Sequence, residues 1–200
     1  MKIRTMFYTL LTLLMLAAIA NAQMPPEDPF GGDPGTEMTE EDWQALLDET
    51  LAMFDTADAA QALEYSRIGV GSLGLQSLFL QLNAMQASTR ATSEWQMLTG
   101  WAQGAVLILQ DAATELANCS NSLTEAAGHI DAATIAWANS NSQEAEARLQ
   151  DAMMSITMAD TSVFVAQGLT TIVLNGLLDL EDPTTNLGGM LDYLVQLESS

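Results

Sequence analysis

The residue best suited to chemistry is His129, the only histidine, which has Glu125 one helical turn before it and Asp131 close behind. An imidazole beside carboxylates can ligate a metal or transfer a proton. A di-iron bundle requires paired glutamates and Glu-x-x-His motifs, and a zinc-binding helix requires two histidines on one face. Because one histidine meets neither requirement, we predict that His129 lies at the surface or rim and pairs with Glu125.

Cys119 is the only cysteine, so the chain cannot form an intramolecular disulfide. A reactive thiol needs a positively charged neighbour that lowers its pKa, and no basic residue lies near Cys119 in the sequence. We therefore predict that Cys119 is a small buried hydrophobic residue. The alternative is dimerisation of two chains through this thiol.

Three methionines, Met153, Met154 and Met158, could bind copper(I) through their thioether sulfurs. A methionine together with His129 could in principle hold haem iron. Methionines on helices more often fill gaps in a core, and no Cys-x-x-Cys-His motif for haem attachment is present. We therefore predict packing roles for these methionines and no cofactor.

Two carboxylate pairs, Asp111 with Glu115 and Glu144 with Glu146, have the residue types of acid–base catalysis. Nothing in their surroundings requires burial, so we predict a solvated face. The glycines of 69–74 follow no predicted strand and include no lysine, which argues against a phosphate-binding loop. We predict no catalytic, cofactor-binding or metal-ligating residue, and we expect that the protein is not an enzyme.

Residues 1–22 combine the basic Lys2 and Arg4, a short apolar run and a final Ala-Asn-Ala, which is typical of a Sec-type signal peptide cleaved before Gln23. The apolar run of about 15 residues is shorter than the ~20 that a membrane-spanning helix needs, which argues against an uncleaved anchor. We therefore expect export by the Sec route to the periplasm or to the outside of the cell.

The large negative net charge limits the classes of molecule that the protein can bind. The whole chain has a formal charge of −21, and loss of Lys2 and Arg4 with the signal peptide would make it −23. Phosphate binding requires clustered lysine and arginine, so we expect no nucleic-acid partner. Anionic membrane surfaces would also repel the chain. Such acidity suits a solvated surface, either of an ordinary secreted protein or of one from a saline habitat.

The distribution of proline along the chain indicates a tether followed by a helical domain. Residues 23–38 are rich in proline, glycine and acids, and we predict a disordered tether there. No further proline occurs before Pro183, as in long helices. We predict one helical domain over 39–200, opened by a capping box of Thr39 and Asp42.

Four helical segments are expected within this domain. Their approximate bounds are 39–90, 93–138, 143–181 and 187–198. The sequence leaves open whether the first is one helix or two. Three glycines within 69–74 weaken a helix by about 1 kcal/mol each, so a kink or a break is expected there.

An almost entirely apolar 3-4 repeat runs through each of the two central segments. The first seam comprises Trp95, Leu98, Ala102, Ala105, Leu109, Ala112, Leu116, Cys119, Leu123, Ala126, Ile130, Ala133 and Trp137, and the second comprises Leu149, Ala152, Ile156, Ala159, Val163, Ala166, Thr170, Val173, Leu177 and Leu180. Folding the chain back at Asn141 sets large members opposite alanine-sized ones. This predicts an all-α fold, an elongated antiparallel bundle of three to four helices built on a long αα-hairpin with arms of roughly 60 Å.

The first segment must cover this hairpin, and the C-terminal helix should dock on it. The predicted contact residues of the first segment are Trp43, Leu47, Leu51, Phe54 and Ala57, followed by Ile68, Gly71, Leu75, Leu78, Leu82 and Met85. Segments 98–109 and 163–180 are apolar on nearly all sides, so that end needs more cover than one helix gives. Either residues 66–90 and the C-terminal helix cover it, or it is a self-associating or lipid-seeking surface.

These patterns favour an exported, non-catalytic helical-bundle protein that acts as a structural or protein-interaction element, with a protein partner or self-association. The alternative is a membrane-active, pore-forming-like protein or one that binds an apolar ligand, since segment 66–93 carries no acid. A membrane contact is expected only under that alternative. An enzyme or a metal carrier comes third.

Overall fold

The computed structural model describes residues 38–199, which form an all-α bundle and contain no strand. The helices are α1 (Glu40–Ala84), α2 (Ala87–Arg90), α3 (Ser93–Ala138), α4 (Ser142–Asp179) and α5 (Asn186–Glu198). The predicted fold class is confirmed. The predicted signal peptide (1–22) and all but the last residue of the predicted tether (23–38) lie outside the described residues.

Side-chain caps set where the long helices begin. The Thr39 hydroxyl accepts a hydrogen bond from the Asp42 backbone N–H while the Asp42 carboxylate accepts one from the Thr39 backbone, which is the predicted capping box. The Thr39 hydroxyl also donates to the Asp42 carboxylate, and this bond together with the one from the Thr39 backbone N–H holds the pKa of Asp42 below its ordinary value. Thr92 caps α3 and Asn141 caps α4 in the same position. Each cap satisfies an N–H that the helix cannot satisfy itself.

The hairpin of α3 and α4 is built on the two predicted seams. Every member from Leu98 to Ala126 is buried, as is every member from Leu149 to Val173. The middle of the seam forms one core cluster in which Leu116, Cys119 and Leu123 pack with Ala159 and Val163. The large and small side chains therefore share one close interface, as the alternation predicted.

Helix α1 lies against both arms of the hairpin. Gln61 Nε2 donates to the Leu116 carbonyl and Gly71 lies against Leu109, so α1 runs antiparallel to α3. Arg67 bonds Thr171 and Gly74 lies against Leu177, which makes α1 parallel to α4.

The break expected near 69–74 is absent, since α1 is continuous through these residues. The predicted segment 39–90 is instead interrupted at 85–86, between α1 and α2. Two of the three glycines have a packing role instead. A Cβ atom on Gly71 would lie 3.2 Å from Leu109 Cδ1, and one on Gly74 would lie 2.7 Å from Leu177 Cδ1. Packing against two neighbouring helices offsets the weak helix propensity of glycine.

The first part of α1 packs through most of the predicted face, since Trp43 and Ala57 are buried and Leu47 and Phe54 pack on core clusters. The prediction is wrong at one position. Leu51 is 40% exposed, whereas Leu46 and Thr50 are buried. Thr50 satisfies its hydroxyl by donating to the Leu46 carbonyl, so this polar side chain tolerates burial. The buried row of α1 keeps the 3-4 spacing but includes polar residues such as Thr50. A pattern of apolar residues alone therefore does not predict that Thr50 is buried.

The two ends of the bundle are closed by different contacts. At one end Trp43 stacks on Trp137, with ring centroids 4.9 Å apart and planes at 7°. At the other end α5 docks as predicted, and its Leu194 is fully buried in the cluster that contains Leu82 and Leu98. Residues 66–90 and α5 thus supply part of the cover that this apolar end requires.

The contact between Trp101 and Gly176 can be tested with alanine. A Cβ atom on Gly176 would lie 3.1 Å from Trp101 Cε2 and overlap the neighbouring ring carbon. We expect Gly176→Ala to destabilise the fold by about 1–2 kcal/mol, because displacing the ring outweighs the gain in helix propensity. Gly168→Ala, with nothing within 4 Å of the new Cβ, should instead stabilise by about 0.5–1 kcal/mol. Chemical denaturation measures both, and equal stabilisation by both would contradict close packing at Gly176.

The close approach of α3 and α4 predicts a cost for a larger side chain at Ala159. This residue is fully buried in the cluster that contains Leu123. Ala159→Leu should lower the free energy of unfolding by about 1–3 kcal/mol through overpacking. Ala147→Leu, at an exposed position of the same helix, should change it by less than about 0.5 kcal/mol. An unchanged melting temperature for Ala159→Leu would refute the close interface.

Candidate interaction surface

His129 does not make the predicted pair with Glu125. Its Nδ1 lies 3.9 Å from Asp151 Oδ2 on α4, and the same carboxylate oxygen lies 3.8 Å from Arg148 Nη1. The antiparallel hairpin brings this acid beside His129, a neighbour that sequence spacing within α3 could not reveal. The imidazole is about one-third accessible, so the predicted place at the rim is confirmed.

Cys119 is fully buried among the alanine-sized members of the seam, as predicted. Burial, together with repulsion of a thiolate by the Asp160 and Asp58 carboxylates, raises the pKa of its thiol to about 11. The environment therefore favours the neutral thiol, the opposite of what a nucleophilic cysteine requires.

The raised pKa predicts a loss of stability at alkaline pH. As pH rises from about 9 towards 11, the unfolded chain releases the Cys119 proton before the folded chain does, so folding becomes less favourable. The stabilisation is complete below pH 9 and is lost as pH rises through 11. The stability of wild type should thus fall more steeply over this range than that of Cys119→Ala in pH-dependent urea denaturation. Parallel profiles for the two proteins would contradict burial of the thiol.

Only one of the three methionines has the predicted packing role. Met153 packs on the cluster around Trp43 and Leu149, but Met154 is 65% exposed and Met158 is 58% exposed. Both lie on the outward side of α4, away from the seam. Within residues 38–199 no three His, Cys, Asp or Glu side chains come together as a metal site would require.

The two carboxylate pairs do not converge on a cleft. Asp111 and Glu144 are exposed, and Glu115 and Glu146 are half-buried. The Glu144 carboxylate accepts a hydrogen bond from Asn141 Nδ2, which belongs to the cap of α4. Glu115 and Glu146 likewise accept hydrogen bonds from residues on their own helices, Asn118 and Gln150.

An ion pair within α1 that the sequence did not predict has a buried carboxylate, and its arginine also contacts α4. The Glu64 side chain is only 1% exposed, and its Oε2 accepts a hydrogen bond of 2.8 Å from Arg67 Nη1. Arg67 Nη2 in turn donates to Thr171 Oγ1 at 2.9 Å. The sequence signal is a glutamate on the buried row of α1 with an arginine three residues later. The pairing offsets part of the cost of burying the carboxylate, whose Oε1 is also buried and has no hydrogen-bond partner among the described residues. The bond from Arg67 to Thr171 links α1 to α4.

Carboxylates are concentrated in one half of the bundle, here called the acidic half. It consists of α1 40–64 with eight acids, α3 111–138 with four and α4 142–160 with four. The neutral half consists of α1 65–84, α3 95–110 and α4 161–178, which contain no acid and have Arg67 as their one charged residue. Glu94 and Asp179 lie just beyond these segments, at the start of α3 and the end of α4. The helix directions described above bring these neutral segments alongside one another.

Large apolar side chains remain exposed in and beside the neutral half. The most regular set lies on α1, on the side away from its buried row, and we call it the outer stripe. It consists of Leu63, Ser66, Val70, Leu73, Ser77 and Leu80, all of which are exposed. Its four apolar members are 61–73% exposed. The sequence signal for this stripe is a second 3-4 repeat in α1, offset by two residues from the buried row.

Two other features of this half bear on ligands and membranes. An open groove of about 330 Å³ lies between α1 and α3, with an apolar floor that includes Leu75 and Phe79, a volume at the low end for small-molecule sites. Separately, α4 is long and apolar enough to cross a membrane, and only 28% of its most apolar window is buried.

Comparison with family models, curated proteins and solved structures finds no match to this chain. The features that bear on function are therefore those of the described surface itself. They are the division into an acidic and a neutral half, and the exposed outer stripe of α1.

Proposed function

We propose that this protein is an exported, non-catalytic helical bundle that acts as a structural or protein-interaction element through its neutral half. The observation that carries the proposal is the outer stripe, a regular row of exposed side chains without charge on a strongly acidic protein. Contiguous exposed apolar residues on a soluble bundle commonly mark a contact surface, and their heptad spacing suits contact with another helix.

The outer stripe has enough apolar surface for a specific but modest contact. Fully burying a Val or Leu side chain contributes about 1.5–3 kcal/mol, and Leu63, Val70, Leu73 and Leu80 are each roughly two-thirds exposed. Together they could contribute about 4–8 kcal/mol on that scale. Association itself costs about 4–15 kcal/mol, so additional contacts along the flanks of the stripe are needed for a stable complex.

The acidic half supports the same assignment by limiting where partners can bind. Sixteen carboxylates, eight on α1 and four on each arm of the hairpin, face a single basic residue, Arg148. They keep the protein soluble and repel other acidic surfaces. A partner without positive charge is therefore directed to the neutral half.

Membrane activity is a second candidate, and the hydropathy of α4 is the observation that favours it. The helix meets the length and composition of a membrane span while most of its apolar window lies outside the core. Against this stand the neutral polar residues on its outer side, which include Thr161, Gln167 and Asn175. Such side chains are costly in hydrocarbon unless they find partners.

Site-specific photocrosslinking in the producing cells tests the proposal. Replacing Leu73 with benzoylphenylalanine places the probe on the outer stripe, and the same replacement at Ile135 places it on an equally exposed side chain of the acidic half (63% against 67% exposed). We expect discrete protein adducts from position 73 and few from position 135. A parallel assay adds the purified protein to dye-loaded vesicles of phosphatidylcholine and phosphatidylglycerol, which should remain sealed.

Two results would contradict the proposal. Lipid adducts at position 73 together with dye release would establish the membrane-active alternative. Protein adducts of the same kind and yield at positions 73 and 135 would show that the neutral half is not the contact surface.

A further inference from the structure

Helix α1 carries two heptad rows, and only one is used within the bundle. The inner row, which includes Gly71, Leu75 and Leu78, packs on α3 and α4. The outer stripe repeats the same alternating spacing of three and four residues but faces away from the bundle. A helix with two such rows can pack on a further helix without changing its own fold.

The order of residues in the outer stripe is nearly palindromic. From residue 63 to residue 80 it runs Leu, Ser, Val, Leu, Ser, Leu, with spacings of 3, 4, 3, 4 and 3. Reversal leaves the spacing unchanged and exchanges only the central Val70 with Leu73. A surface that is complementary to its own reversed copy is what a twofold symmetric interface requires.

We propose that the partner of the outer stripe is a second copy of this chain, lying antiparallel so that α1 packs on α1 about a twofold axis between Gly71 and Ser72. This inference rests on the function proposed above and names the partner. In this register Leu63 faces Leu80 of the second copy, Ser66 faces Ser77, and Val70 faces Leu73. The serine layers let the two backbones approach while the apolar layers supply the buried area.

The distribution of charge selects the antiparallel direction. Every acid of α1 lies at Glu64 or before it, so an antiparallel pair sends the two acidic halves away from each other. A parallel pair would set eight acids of one α1 beside eight of the other, with strong repulsion. Within the overlap from 63 to 80 the charged residues are Glu64 and Arg67, which already bind each other on the inner side.

The contact is modest in size, and this determines how it will behave. Stable interfaces use about 20–30 residues from each partner, whereas the outer stripe contributes six and its flanks a comparable number. The dimer should therefore be weak and reversible, with a dissociation constant between about 1 μM and 1 mM.

Sedimentation velocity over a concentration series tests the dimer. The wild-type protein should shift from monomer to dimer, and Val70→Glu should weaken dimerisation at least about tenfold, because it sets a carboxylate against Leu73 of the second copy. Ile135→Glu, an equally drastic change on an equally exposed residue outside the stripe, should dimerise like wild type. Circular dichroism melting of all three at low concentration verifies that each variant is folded. A wild-type protein that stays monomeric to millimolar concentration, or Val70→Glu and Ile135→Glu variants that dimerise equally, would overturn the inference.

Crosslinking tests the register. In a Cys119→Ala background, Leu63→Cys and Leu80→Cys proteins are mixed and treated with a short bismaleimide. The antiparallel register predicts a covalent dimer only from the mixture, since two copies of residue 63 would lie about 26 Å apart along the axis. Efficient crosslinking of Leu63→Cys with itself would indicate a parallel pair and refute the register.

The outcomes also separate this inference from the proposed function. A photoadduct of twice the chain mass at position 73 supports the second copy as the partner. Adducts to a different protein, with a wild-type chain that remains monomeric, would overturn the second copy as the partner and leave the interaction role intact. Adducts to lipid would overturn both.

Discussion

The close approach of α3 and α4 is the constraint on which the rest of the bundle depends. Alanine-sized residues such as Ala126 and Ala159 have no exposed surface and lie in one cluster with Leu123 and Ile156. Small side chains let the two backbones come near, and the large residues opposite fill the space between them. The two arms together form the surface on which α1 packs, and α1 contacts both of them.

Helix α1 fits that surface because its inner row varies in size and polarity. Gly71 and Gly74 admit Leu109 and Leu177 where the helices come closest. Farther along, Gln61 donates to a backbone carbonyl of α3, and one carboxylate oxygen of Glu64 accepts from Arg67, which also reaches α4. Apolar packing therefore supplies most of the stability, while these polar contacts fix the register of α1 relative to the hairpin.

The division of charge follows from the same arrangement and links structure to function. The antiparallel hairpin and the direction of α1 place the acid-free parts of three helices side by side. One half of the bundle is thereby strongly hydrated, and the other exposes apolar and neutral polar side chains. A protein organised in this way remains soluble at high net charge and still offers a surface on which burial is favourable.

The sequence by itself determined the long helical segments, the capping box of Thr39 and Asp42, and the seam of the hairpin, because 3-4 periodicity and capping act over a few neighbouring residues. It also determined that Cys119 is a buried member of that seam. Only the tertiary structure decided that α1 is continuous, that His129 lies beside Asp151, and that Glu64 is buried. The physical reason is the same in each case: these features depend on side chains from another helix, and local spacing along one helix does not specify which partner residues will lie opposite.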